Sequence, residues 1–222
     1  MDLQALGLSL RLAAVTTLLL LLLATPLAFW LAQHPSWPRR TVQAIAMLPL
    51  VLPPTVLGFY LLQGLGPATA FGRALITLLG HPLAFSFGGL LLGSVIYSFP
   101  FALAPLITAF SEVDPLLRDT ARVLGASPLQ VFRRVTLPLC RRAFLTAGVL
   151  TFCHTVGEFG VVLMLGGDIP GSTRTLSISL FDQVQEANYA AANRTALWLI
   201  ALSFLTLVAM QTQSRRGAPL LD

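Results

Sequence analysis

His154 and Glu158 stand four residues apart in "HTVGEFG", so a helix would carry both on one face. An imidazole and a carboxylate at that spacing suit a proton relay or two metal ligands. Two ligands fall short of a site, and no H-E-x-x-H helix is present, so no metal is expected here. Cys140 and Cys153 match no metal spacing; on one helix they would lie about 20 Å apart, too far for a disulfide. They read as small buried side chains. With no nucleophile and base constellation in the chain, no catalytic residue is assigned and no enzymatic activity is expected.

Glu158 is the only charged side chain within any long apolar run of the sequence. An intramembrane carboxylate is costly enough to mark a functional position by default. It is expected either protonated or paired with a neighbouring helix or backbone donors near a gate, where Gly157 and Gly160 permit close approach. A purely structural role stands beside that reading.

The other charges concentrate elsewhere. Nine of them fall within residues 111–142, although the chain holds only 14 basic and nine acidic side chains in 222 residues. All the basic residues are arginine. A P-loop requires the lysine of G-x-x-x-x-G-K-[ST], so this chain cannot carry that ATP site itself. The net charge of +5 does not point to nucleic acid, because the arginines lie between apolar runs and no nucleic-acid motif is present.

Within that charged stretch, Asp114 followed by Pro115 reads as a helix start. Leu117, Ala121 and Leu124 recur at helical spacing beside Arg118, Asp119 and Arg122, and Gly125 supplies the stop. Ser127, Pro128 and Gln130 open a second helix with a capping box, whose apolar face holds Val131, Phe132 and Val135; Pro138 is expected to end it. Two short amphipathic helices joined at a glycine need something to pack against. Lipid headgroups, the chain's own membrane domain, or a cytoplasmic partner would each serve.

The elements that must position these groups are membrane spans. With 55% hydrophobic and 10% charged residues, the chain shows five apolar runs, near 12–32, 42–63, 83–110, 143–166 and 195–213. Each approaches or exceeds the roughly 20 residues that cross a bilayer. The first resembles a secretory signal at its start, but continues through Trp30 to about 21 residues, beyond the about 7 to 15 of a signal core. Five spans put the termini on opposite sides. An external amino end places ten arginines inside, including Arg39, Arg118, Arg133, Arg141 and Arg216, against Arg11, Arg73, Arg174 and Arg194 outside. The connections at 64–82 and 167–194 are expected as loops, and the whole (1–222) as one membrane domain with a cytoplasmic loop at about 111–142. In the second run Pro49, Pro53 and Pro54 must break the helix, either to line a pathway or as a packing kink.

The spacing of Asp119, Thr120 and Ala121, then Gly125, Val135, Leu137 and Pro138, resembles the signature loop of ABC importer permeases: an EAA triplet, three residues, Gly, nine residues, Ile, one residue, Leu-Pro. Asp and Thr stand where that pattern has Glu and Ala. "LPLVLPPTVLG" (48–58), "SFPF" (98–101), "GEFG" (157–160) and "IPGSTRT" (169–175) are similar to the permease subunits of molybdate importers, with sulfate and tungstate permeases as near relatives. The resemblance implies an all-α transmembrane fold of the type I importer kind, about five spanning helices with a two-helix cytoplasmic coupling loop, in a bacterial inner membrane. It implies a coupling loop seated on a separate ABC ATPase, which would hold the ATP and Mg while this chain binds no cofactor. A homodimer, two ATPase copies, a periplasmic or extracellular oxyanion-binding protein and surrounding membrane lipid complete the expected assembly, without nucleic acid. Pro53, Pro54, Gly157, Glu158 and Gly160 become pathway or gate candidates, and Arg174 an external docking candidate unless it is an ordinary loop arginine.

An outside energy source agrees with elementary energetics. Moving a dianion inward against ~100 mV costs about 4.6 kcal/mol, and each tenfold concentration step adds about 1.4 kcal/mol. A secondary carrier normally places several ionisable groups in its spans; one Glu and one His are few. A channel or carrier, a membrane enzyme and a scaffold remain the competing classes.

Overall fold

In the computed structural model, which describes residues 2–33 and 36–215, all regular structure is helical. His34 and Arg216 lie outside the described residues. Three helices are long and apolar enough to cross a membrane alone: α1 (Leu3–Leu31), α5 (Phe87–Glu112) and α12 (Tyr189–Arg215). Two bent helix pairs, Trp37–Leu50 with Pro54–Leu65 and Pro128–Leu139 with Arg141–Gly157, raise the number to as many as five where each counts as one span, the number of the apolar runs.

The second run is α2 (Trp37–Met47), a 3-10 turn at Leu48–Leu50 and α3 (Pro54–Leu65), with 105° between the halves. Pro49, Pro53 and Pro54 cluster at that corner, where each removes a backbone donor. The fourth run is likewise interrupted: α9 (Arg141–Gly157) stops at Glu158, and α10 (Gly160–Gly166) starts two residues later. Glu158 therefore caps a helix end instead of sitting mid-helix. By contrast, α5 runs unbroken through Pro100 and Pro105.

Both connections expected as loops contain helices. Thr69 caps α4 (Ala70–Leu79) by accepting from Gly72 N at 2.9 Å, and Gly80 ends it in the left-handed region at φ 76°. In the second connection, Thr175 caps α11 (Leu176–Gln185), whose first turn is buried. Ser9 of α1 accepts from Leu176 N at 2.8 Å and ties α11 to the bundle.

The core is a three-helix contact of α1, α5 and α9. Small α1 residues at helical spacing, Ala13, Ala24 and Ala28, are wholly buried and let the backbones approach, as membrane helix packing favours. A second centre forms where α10 packs on α3 and α5. There glycines leave no room: an added Cβ at Gly58 would lie 2.8 Å from Met164 Cβ, and one at Gly160 would lie 2.9 Å from Pro54 Cβ.

Candidate functional site

Two regions assemble the residues singled out in the sequence. The first is the elbow between α5 and α9. Asp114 Oδ1 accepts from Leu116 N at 2.9 Å to start α6 (Pro115–Val123). Its end is a Schellman arrangement: Ala126 N donates to Ala121 O at 3.0 Å and Gly125 N to Arg122 O at 2.9 Å, with Gly125 at φ 85°. Open space surrounds Gly125, so backbone conformation alone selects glycine there. Asp119 pairs with Arg122 at 3.1 Å on the exposed surface.

The elbow's two helices face different ways. No residue of α6 is buried, and Leu117, Val123 and Leu124 are 48%, 87% and 82% exposed. The second helix begins at α7 (Pro128–Val131) with both capping-box hydrogen bonds between Ser127 and Gln130. It packs on its own bundle: Val131 is buried, and the Phe132 ring meets Phe29 edge-on at 5.1 Å between centroids. Of the three surfaces that could receive these helices, the chain's own domain takes the second and leaves the first bare.

Val135 lies on a π-helical turn at Phe132–Thr136, a widening that precedes a residue without an N–H. Pro138 does not end the element, because Leu137–Leu139 (α8) remains helical; the corner falls one residue later, at Cys140, where the chain turns 70° into α9.

The second region is the break at Glu158. Pro54, Gly157, Glu158 and Gly160 line one cavity of about 470 Å³ with Tyr97 and His154. Pro53, the residue before α3, is exposed and lies outside that lining. Glu158 is 4% exposed, and neither carboxylate oxygen has a hydrogen-bond partner among the described residues. The Ser94 hydroxyl is likewise buried without a hydrogen-bond partner among the described residues. Only Gly160 of the flanking pair is required for close approach; a Cβ on Gly157 would meet nothing within 4 Å.

His154 does not pair with Glu158. Its Nδ1 lies 2.9 Å from Ser98 Oγ, and its ring stacks on Phe101 at 4.0 Å. Ser98 also bonds Thr155 at 3.0 Å, and Thr155 donates to Thr151 O at 2.9 Å. This hydroxyl string escaped the sequence reading beyond the "SFPF" motif. Its signal is present, since Ser94 and Ser98 on α5, and Thr151 and Thr155 on α9, each repeat at four residues within apolar helices. No group of three or more metal-ligating side chains occurs among the described residues.

Arg174 lies apart from both regions, on the 167–175 turn. It forms a two-pronged ion pair with Asp168, the Nη2 to Oδ2 limb being 2.7 Å, and its Nε lies 3.7 Å from Asp182. The hydrogen bond from Arg174 holds the Asp168 carboxyl below its usual range, while partial burial pushes that of Asp182 up.

The sequence pattern of the family described as the binding-protein-dependent transport system inner membrane component matches residues 24–216. The chain belongs to this family. It is 46% identical over 219 residues to the molybdenum transport system permease protein ModB of Azotobacter vinelandii, covering 99% of this chain and 97% of that one. It is 33% identical over 214 residues to ModB of Escherichia coli strain K12, covering 96% and 93%. Among solved structures, the fold is similar to a bacterial ABC transporter involved in import of the acidic polysaccharide alginate, with TM-score 0.78, 19% identity and coverage of 97% and 79%. The inward-facing MetNI methionine ABC transporter gives 0.76, 18% identity and coverage of 98% and 96%. The chain thus has the fold of an ABC importer permease and is a membrane transport component.

Proposed function

We propose that this chain is the permease subunit of an ATP-driven molybdate importer, acting as a homodimer with two copies of a separate ABC ATPase and an external binding protein. The amino end faces outside and the elbow faces the cytoplasm. The observation that carries the reading is the first helix of the elbow, none of whose residues is buried and whose end leaves Val123 and Leu124 almost bare, while the second helix is seated on the bundle. Asp119, Thr120, Ala121, Gly125, Val135, Leu137 and Pro138 form and hold that docking element. ATP and Mg belong to the partner. Likeness to molybdenum permeases over almost the whole chain supports the anion.

The break at Glu158 is the pathway gate. Pro54, Glu158 and Gly160 rim a cavity at that gate, which is not itself the anion site because a carboxylate is a poor ligand for an oxyanion; serine and threonine hydroxyls and helix ends along the route would pass the ion without holding it tightly. Pro53 fixes the corner that feeds the cavity. Arg174, clasped by Asp168, shapes the outer turn on which the binding protein seats. The test is uptake into vesicles carrying this chain, its ATPase and its binding protein. Molybdate should enter only with ATP and all three components. Entry at full rate without nucleotide, or sulfate outcompeting molybdate on the binding protein, would overturn the reading.

A further inference from the structure

A groove of about 610 Å³ runs between the last third of α1 and the second helix of the elbow. Leu22, Pro26 and Phe29 form one wall; Leu129, Phe132 and Leu137 form the other. Its few polar atoms are largely withdrawn, since the Thr25 hydroxyl is turned onto the Leu21 carbonyl. Leu18 and Leu22, on the same stretch of α1, are 69% and 70% exposed, so the groove continues an exposed apolar side of a helix long and apolar enough to cross a membrane.

Leu129 is shared with a second recess of about 440 Å³, lined otherwise by Gln130, Arg133 and Arg134. No carboxylate stands within ion-pair distance of either arginine among the described residues. An apolar trough that shares Leu129 with a recess bearing two arginines without a carboxylate partner suits an amphiphile with a negative head. A docked protein fits less well. The Phe132 contacts with Phe29 and Phe110 hold this helix against the membrane bundle, away from the bare residues Val123 and Leu124.

We propose that the groove and recess together bind one anionic phospholipid from the leaflet on the elbow's side. An acyl chain lies along α1 past Pro26, and the phosphate sits over Arg133 and Arg134. The bound lipid bridges α1 and the elbow and so braces the second helix on the bundle.

The test is native mass spectrometry of the full purified chain, titrated with phosphatidylglycerol or with phosphatidylcholine of the same acyl chains. Phosphatidylglycerol should be retained roughly 30-fold better, the preference two surface arginines supply. Arg133→Gln with Arg134→Gln should abolish that preference, whereas Arg141→Gln with Arg142→Gln should preserve it. Leu22→Trp, which fills the trough, should lower retention of both lipids. Equal retention by the unaltered chain, or a preference that survives loss of Arg133 and Arg134, would overturn the proposal. So would displacement of the lipid by millimolar inorganic phosphate, which would indicate a bare anion recess. If the double variant instead releases a copurifying ATPase while lipid retention holds, the arginines serve that partner and the proposal fails.

Discussion

Single residues carry several of the distinctions between placement and role. Gly125 and Gly157 both have free space around them, but only Gly125 adopts a positive φ. Gly125→Ala should therefore strain the elbow by about 1 to 2 kcal/mol and reduce recovery of the ATPase with the permease in pull-downs, with membrane insertion unchanged. Gly157→Ala should be tolerated. At the 167–175 turn the depressed Asp168 carboxyl gives a pH signature. Because its folded value lies below the ordinary one, the ion pair contributes fully above about pH 4 and is lost as pH falls through the depressed value. Limited proteolysis of the 167–175 turn should show protection at neutral pH that fades in acid, and Arg174→Gln should remove the protection at both. The cap of Asp114, the Ser127 capping box and the Gly125 stop were legible in the sequence because each is a local interaction fixed within a few residues. The Ser98 and His154 contact was not, since those side chains are 56 residues apart and only packing of α5 on α9 joins them.

At the scale of elements, the apolar runs located the crossings but not their corners. Hydropathy does not register direction, so a run holding Pro53 and Pro54 reads the same whether it bends slightly or by the observed 105°. The helices α4 and α11 were hidden for a related reason: the Gly, Pro and charged residues around them read as connection, and each is too short to span. The elbow shows the converse case. Helical periodicity showed that two amphipathic faces exist, yet which one the bundle covers depended on Phe132 finding Phe29 and Phe110. Leu124→Asp, at an 82% exposed position, should leave the melting temperature of the purified chain unchanged and weaken ATPase retention at least tenfold. Gly160→Val should behave in the opposite sense, lowering thermal stability through its collision with Pro54.

At the scale of the whole molecule, the chain is a bundle of α1, α5 and α9 with a second body of α3 and α10 against it. The cavity at Glu158 lies where α3, α5, α9 and α10 converge, and a two-fold partner across it would enclose a route that one copy leaves open. Light scattering of the detergent-solubilised chain should therefore give twice the 23.8 kDa protein mass after subtraction of detergent; a monomer would remove this account of the pathway. With Gly58 of α3 against Met164 of α10, and Gly160 of α10 against Pro54 of α3, the two half-helices meet with no room for a single added carbon. The proline corner and the carboxylate are therefore held in register by two bare backbones, and a methyl at either glycine would prise them apart.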